Sequence, residues 1–215
     1  MEKKDRLPGR YILFLVGLFI ASLGVAFSTK AGLGTSPVAS IPYSVSLVLP
    51  VLSFGTWLNI LSASQITAQC ILMKGKVNWI EIAIQTVLAF AYGYMTDFSV
   101  WILRGIKPDT YPEQFFWMIV GCVVLAFGIW IQFRGGVAML PGEALNRAIS
   151  YVTGRKYANI KIFVDMLMIA IAAAICLIFL GGLEGVREGS IIAALGVGSC
   201  IKFYERIYSK ITKKA

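Results

Sequence analysis

Most of the residues able to do chemistry stand inside or beside apolar runs. Glu143, Asn146 and Arg147 fall in PGEALNR, Asp97 in YGYMTDFSVW, and Asp165 in VDMLMIAIAAAICLIFL. An acid in such surroundings is costly unless it is paired or faces water, and intramembrane acids commonly hold a proton or a cation. Glu143 has two readings. In the first turn of a short helix it suits the helix dipole and offers a coupling site, while at i, i+4 to Arg147 it suits a plain ion pair. Asp97 and Asp165 read as buried or cavity-facing acids and, with Asn59, as candidate coupling or buried polar positions, with Lys30, Lys161 or Arg134 as partners of the acids, whereas Glu81 reads as solvated at a span end. Gln85, Asn59, Asn146 and Ser190 are expected to form interhelical hydrogen bonds. The chain has no histidine, which removes histidine acid–base chemistry, histidine metal ligation and the common activated nucleophiles together. No phosphate loop, dinucleotide fingerprint or zinc spacing is visible. The expectation is therefore no enzyme, no cofactor and no metal site.

Two turns carry a second kind of chemistry: KAGLGTSPVAS at 30–40 and RGGVAMLPGEA at 134–144. Gly32 and Gly34, like Gly135 and Gly136, permit positive φ and close backbone approach. Pro37 and Pro141 suit the first turn of a helix, where a missing N–H is no loss. Ser36 is placed to cap the first of these helices. A helix start carries partial positive charge and free N–H groups, and Lys30 or Arg134 lies just upstream. Two such ends, one from each side, would hold a small anionic or polar solute near the membrane midplane. The competing account makes these tight re-entrant turns, with Lys30 and Arg134 as interface anchors.

The elements that position these turns repeat. Val16–Ser46 set on Val120–Ser150 gives an offset of 104 residues, and six of 31 pairs are identical. Four of the six are Gly17/Gly121, Gly24/Gly128, Gly32/Gly136 and Pro37/Pro141, positions set by backbone geometry rather than by apolar composition. Gly93 falls on Gly198 at an offset of 105, and Asn59 on Asp165 if two residues are inserted. The spacings Gly17–Gly24 and Gly196–Gly198 read as helix-packing surfaces.

Hydrophobic residues make up 58% of the 215 and the mean hydropathy is +0.76, which excludes an ordinary soluble domain. Apolar runs at about 11–28, 54–73, 79–103, 115–133, 160–180 and 190–207 each suit a bilayer crossing of ~30 Å. The first is expected to be an uncleaved helix rather than a signal peptide. The four cysteines (Cys70, Cys122, Cys176 and Cys200) read as small hydrophobes within spans. With the N-terminus inside, 16 of the 20 Lys and Arg fall on inside segments, which places both termini in the cytoplasm. The net charge of +9 is thereby explained by orientation, without a nucleic-acid partner. The basic tail KFYERIYSKITKKA suits adsorption to anionic lipid. The stretches 36–52 and 137–152 are too broken or too charged to cross, and read as re-entrant or interfacial half-helices. Three crossings per repeat is an odd number, so the second copy enters from the opposite face. The expected fold is an all-α membrane protein of six transmembrane helices plus two half-helices. It is one integral membrane domain spanning 1–215, an inverted repeat of two three-span units at about 11–103 and 115–207.

At GLFIASLGVAFSTKAGLGTSP (17–37), SFGTWLN (53–59) and RGG…LPGEALNRAIS (134–150) the chain resembles the YczE/YyaS/YitT family of bacterial membrane proteins. The resemblance covers nearly the whole length and implies a multi-pass protein of the bacterial cell membrane. Its motifs are Gly/Pro patterns without a catalytic signature, so no site residue follows from it. The first functional expectation is a small-solute or ion transporter with its site between the half-helices. The second is a membrane-embedded binding or scaffold component that acts with a partner subunit or as a homo-oligomer.

Overall fold

The computed structural model describes residues 7–74 and 76–212, without the side chains of Leu7 and Thr212. Lys3, Lys4, Arg6, Lys213 and Lys214 of the charge argument lie outside the described residues. Within them the chain is helical: α1 Leu7–Lys30, α2 Pro37–Val48, α3 Phe54–Leu72, α4 Trp79–Ile102 with a 3-10 turn at Leu103–Gly105, α5 Tyr111–Gly135, α6 Pro141–Thr153, α7 Tyr157–Phe179 and α8 Glu188–Thr212. Every predicted run is a helix, and the two half-helices are α2 and α6. The boundaries have local causes. Pro37 and Pro141 are the first residues of α2 and α6, as their fixed φ favours. Ser53 Oγ accepts the Thr56 N–H at 3.1 Å and starts α3. α5 ends in Gly136 at φ 54°, and α6 in Gly154 at φ 67°, left-handed caps that glycine adopts without strain.

Four helices, α1, α4 with its 3-10 turn, α5 and α7, are long and apolar enough to cross a membrane. α3 and α8 fall short of that standard. α3 carries Asn59, Gln65 and Gln69, and α8 carries Lys202, Glu205, Arg206 and Lys210.

The chain forms two compact units, and neither coincides with a sequence repeat. Unit 1 contains α1 and its loop to Ser36, the stretch Phe98–Val137 and the α8 region from Arg187. Unit 2 contains Pro37–Asp97 and Ala138–Val186. Each therefore takes helices from both halves of the chain.

In unit 1, α1 packs antiparallel on α5 through the repeated glycines. A Cβ on Gly17 would lie 2.8 Å from Gly128 O, and one on Gly128 would lie 2.7 Å from Gly17 O. Likewise a Cβ on Gly121 would lie 3.0 Å from Gly24 O, and one on Gly24 would lie 2.5 Å from Leu125 Cα. The contact is thus reciprocal, because each glycine of α1 meets the neighbourhood of the other's repeat partner. Helix association in lipid depends on such close backbone approach. Arg10 closes one end of this pair, donating to Gly135 O at 2.8 Å and Gly136 O at 2.9 Å, where a cation suits the C-terminal dipole of α5. The loop after α1 is fixed to the start of α8: Gly189 N–H donates to Leu33 O (2.9 Å) and Thr35 N–H to Ser190 Oγ (3.2 Å). At the same end the Glu188 carboxyl is held below the usual range. Its own backbone N–H is the main cause, opposed by a smaller burial cost and assisted by Arg187 and the Tyr111 hydroxyl.

Unit 2 is built on a ring of four helices. α2 packs on α3 and α7, and α6 packs on the same two. Each half-helix is therefore flanked by both long helices. Cys176 Sγ of α7 meets Ser44 Oγ of α2 at 3.2 Å, and the Tyr43 and Phe54 rings stand edge-on at 5.7 Å. All four cysteines are free thiols, two of them fully buried. The outer face of α7 is apolar and bare, with Ile162, Phe163, Met166 and Ile178 each more than 60% exposed. Apolar exposure on that scale suits lipid rather than water.

One packing expectation fails. Gly17 and Gly24 line a helix contact, but a Cβ on Gly196 or Gly198 would meet nothing within 4 Å. Spacing alone did not distinguish a packed glycine pair from an open one.

Candidate functional site

The residues singled out in the sequence divide between the two units. Unit 1 holds Lys30, Gly32, Gly34, Ser36, Arg134 and Gly136, while unit 2 holds Pro37, Pro141, Glu143, Asn146, Asn59, Asp97 and Asp165. Lys30 is the half-buried last residue of α1. Gly32 and Gly34 adopt φ of 72° and 105°, and a side chain on Gly34 would collide with Ser190 Oγ. Three of the four turn glycines use the left-handed region; Gly135 stays helical. The Ser36 side chain makes no hydrogen bond among the described residues, so the side-chain cap expected of it is absent.

Arg134 is committed within unit 1. Its Nη2 bonds Glu205 Oε1 at 3.0 Å and Oε2 at 3.2 Å. Its guanidinium lies 3.5 Å from the Tyr208 ring centroid and 5.3 Å from that of Trp130, and Trp130 Nε1 donates to Glu205 Oε2 at 2.9 Å. One nitrogen shared between both carboxylate oxygens, with the guanidinium over aromatic rings, uses the charge and the plane of arginine together. Sequence reasoning missed Glu205, which lies 71 positions away.

In unit 2 two of the acids, Asp97 and Asp165, have a defined local partner. Asp97 accepts the Ser53 hydroxyl at 2.5 Å and the Gly55 N–H at 2.7 Å, so a carboxylate of α4 completes the N-terminus of α3. None of the cations proposed for it is involved. Asp165 pairs with Lys161 at 3.1 Å one turn away, which selects one of its three proposed partners. The Glu143–Arg147 pair does not form among the described ion pairs; Arg147 Nη1 approaches Met139 Sδ at 3.8 Å instead. Glu143 is half-buried, within electrostatic reach of Lys161 and Asp165.

The carboxamides are the unit's unmet chemistry. Asn59 Oδ1, Gln65 Nε2 and Gln69 Oε1 on α3, Gln85 Oε1 on α4 and Asn146 Oδ1 on α6 are all buried without a partner. Asn59, Gln65, Gln85 and Asn146 are 7%, 4%, 4% and 3% exposed. No hydrogen bond joins any of these five side chains to another described residue, so the interhelical bonds expected of Asn59, Gln85 and Asn146 are absent. Ser190 accepts a hydrogen bond, but from the Thr35 N–H of a loop rather than from another helix. An unpartnered buried polar group costs about 1–3 kcal/mol. Five such groups together would cost as much as the whole net stability of a domain. Gln65 and Gln69 went unremarked in the sequence, although polar residues at i, i+4 in an apolar run were the available signal.

Apolar helices of this length, with bare apolar faces and polar groups turned inward, define an all-helical protein with the make-up of an integral membrane protein. The chain belongs to the DUF6198 family, a family of unknown function, whose model matches residues 8–206. It is similar to the uncharacterized protein YyaS of Bacillus subtilis (strain 168), with 24% identity over 173 residues, 80% of this chain and 82% of YyaS. The resemblance read from the Gly/Pro motifs is thereby borne out. No solved structure matches the chain.

Proposed function

We propose that this protein is a non-enzymatic transporter of small polar solutes in the bacterial cell membrane, with its site on the four-helix ring of unit 2. The observation that carries the reading is that both half-helices lie in one ring whose helices bear buried, unpartnered carboxamides. Broken helices and unsatisfied polar groups at membrane depth are characteristic of transporter binding sites. A second reading, a binding or scaffold component acting with a partner subunit or as a homo-oligomer, fits the same apolar faces.

The proposed architecture is an inverted repeat with six crossings and both termini in the cytoplasm. The reciprocal contact of Gly17 with Gly128 and Gly24 with Gly121 supports it, since a twofold axis relates contacts in this way. Helix lengths of 24 and 25, 12 and 13, 19 and 23, and 24 and 25 residues recur in order along the two halves. α3 is counted as a crossing because Asn59 and Gln65 are buried in protein rather than facing lipid. Trp79 and Trp101 stand at opposite ends of α4, about 33 Å apart at the helical rise, as an aromatic belt requires.

Membrane-impermeant maleimide tests the topology on intact cells, with Cys70 and Cys200 replaced by serine. Lys107→Cys should label and Lys74→Cys should not. The reverse result means that α2 and α6 cross the bilayer, giving eight spans. For function, reconstituted protein should release entrapped polar solute faster than protein-free liposomes. Absence of any flux, with a stably co-purifying partner, supports the scaffold reading instead.

A further inference from the structure

We infer that the seam between α3 and α6 binds an uncharged solute that both donates and accepts hydrogen bonds, such as a polyol or a small amide; the inference rests on the transport reading above. Gly142, in the first turn of α6, faces α3, and a Cβ there would lie 3.5 Å from both Nε2 and Oε1 of Gln65. One turn further along each helix, on the same face, stand Asn146 and Gln69. Gln65 Nε2, Gln69 Oε1 and Asn146 Oδ1 are all buried without partners. A carboxamide presents donor and acceptor side by side. Whichever way each is turned, the seam offers both kinds of bond and no fixed charge.

The charges around this seam balance. Lys161 is paired with Asp165 at 3.1 Å, and Glu143, near both, has Arg147 one turn along α6. An anion finds no uncommitted cation at the carboxamides: Lys161 already has Asp165, and Arg147, which makes no ion pair among the described residues, is exposed and lies against Met139 Sδ at 3.8 Å. A cation would have to compete with Lys161 for Glu143. A neutral solute needs neither, and it satisfies the carboxamides that the fold leaves open.

The test uses the full chain in proteoliposomes loaded separately with xylitol, urea, phosphate or choline. Xylitol and urea should leave faster than from protein-free liposomes, and phosphate and choline at the protein-free rate. In the Gln65→Leu/Asn146→Leu double variant the xylitol flux should fall about tenfold or more, the factor that one lost hydrogen bond of typical strength brings. Its thermal midpoint should hold or rise, because leucine removes a polar group that had no partner in the chain. Asn146→Leu alone serves if the double variant does not fold. Flux of phosphate or choline without xylitol or urea overturns the solute class and leaves transport standing. No flux of any of the four defeats the transport reading itself. Xylitol flux that survives the substitutions, or a lowered midpoint with flux intact, assigns the carboxamides to helix bridging and overturns the inference.

Discussion

Gly24→Ala is expected to destabilise the protein by about 3 kcal/mol, the upper end for overpacking, read as a lower thermal midpoint in detergent. The added Cβ would sit within 2.6 Å of the Leu125 Cβ and closer still to that residue's backbone N and Cα. No rotamer change moves backbone atoms, so α1 and α5 must separate along their whole contact. Without a hydrophobic force between helices in lipid, that packing is most of what holds the pair. Gly128→Ala should behave alike, since its Cβ would lie 2.7 Å from Ala21 Cα and Gly17 O. Gly196→Ala is the control. Nothing lies within 4 Å of it, and alanine in place of a helical glycine should gain up to about 1 kcal/mol. Equal losses at all three positions would refute close packing as the cause.

Asp97→Ala carries the second large effect, a loss of about 2–3 kcal/mol, because hydrogen bonds to a charged group contribute about 1.5–3 kcal/mol and their loss orphans the donors. The Ser53 hydroxyl and the Gly55 N–H both depend on this carboxylate, at a point where Gly55 packs directly against Gly93. Asp97→Asn keeps an acceptor for Gly55 and should retain about half the stability. Hydrogen exchange at the first turn of α3 should rise in the alanine variant and much less in the asparagine one. If exchange there is unchanged, the carboxylate does not cap α3 and a coupling role for Asp97 regains its standing.

The helices themselves were legible because apolar runs, prolines at helix starts and glycines at helix ends are local signals. α2 and α6 begin at the very prolines that the repeat brought into register. The glycine crossing was legible in part: the offset of 104 residues found Gly17, Gly24, Gly121 and Gly128, but spacing credited Gly196 and Gly198 equally. Pairing was not legible. Arg134 reaches Glu205 and Asp97 reaches Ser53 across long separations, and electrostatic attraction leaves no periodic trace in a sequence. The candidate site emerged from atoms without partners, which only three-dimensional bookkeeping reveals. Gln65 and Gln69 look like ordinary polar interruptions until the absence of a neighbour for each is known.

The antiparallel seating of α1 on α5 also sets a timetable for biogenesis. Gly17 and Gly24 leave the ribosome about a hundred residues before the helix that covers them. At roughly 5–20 residues per second this leaves α1 with a bare glycine face for roughly 5–20 s. During that interval the matching surface within its reach is the α5 of another copy, and its own α5 competes only once it is made. High expression should therefore favour exchanged pairs, in which the first helix of one chain is covered by the fifth of another.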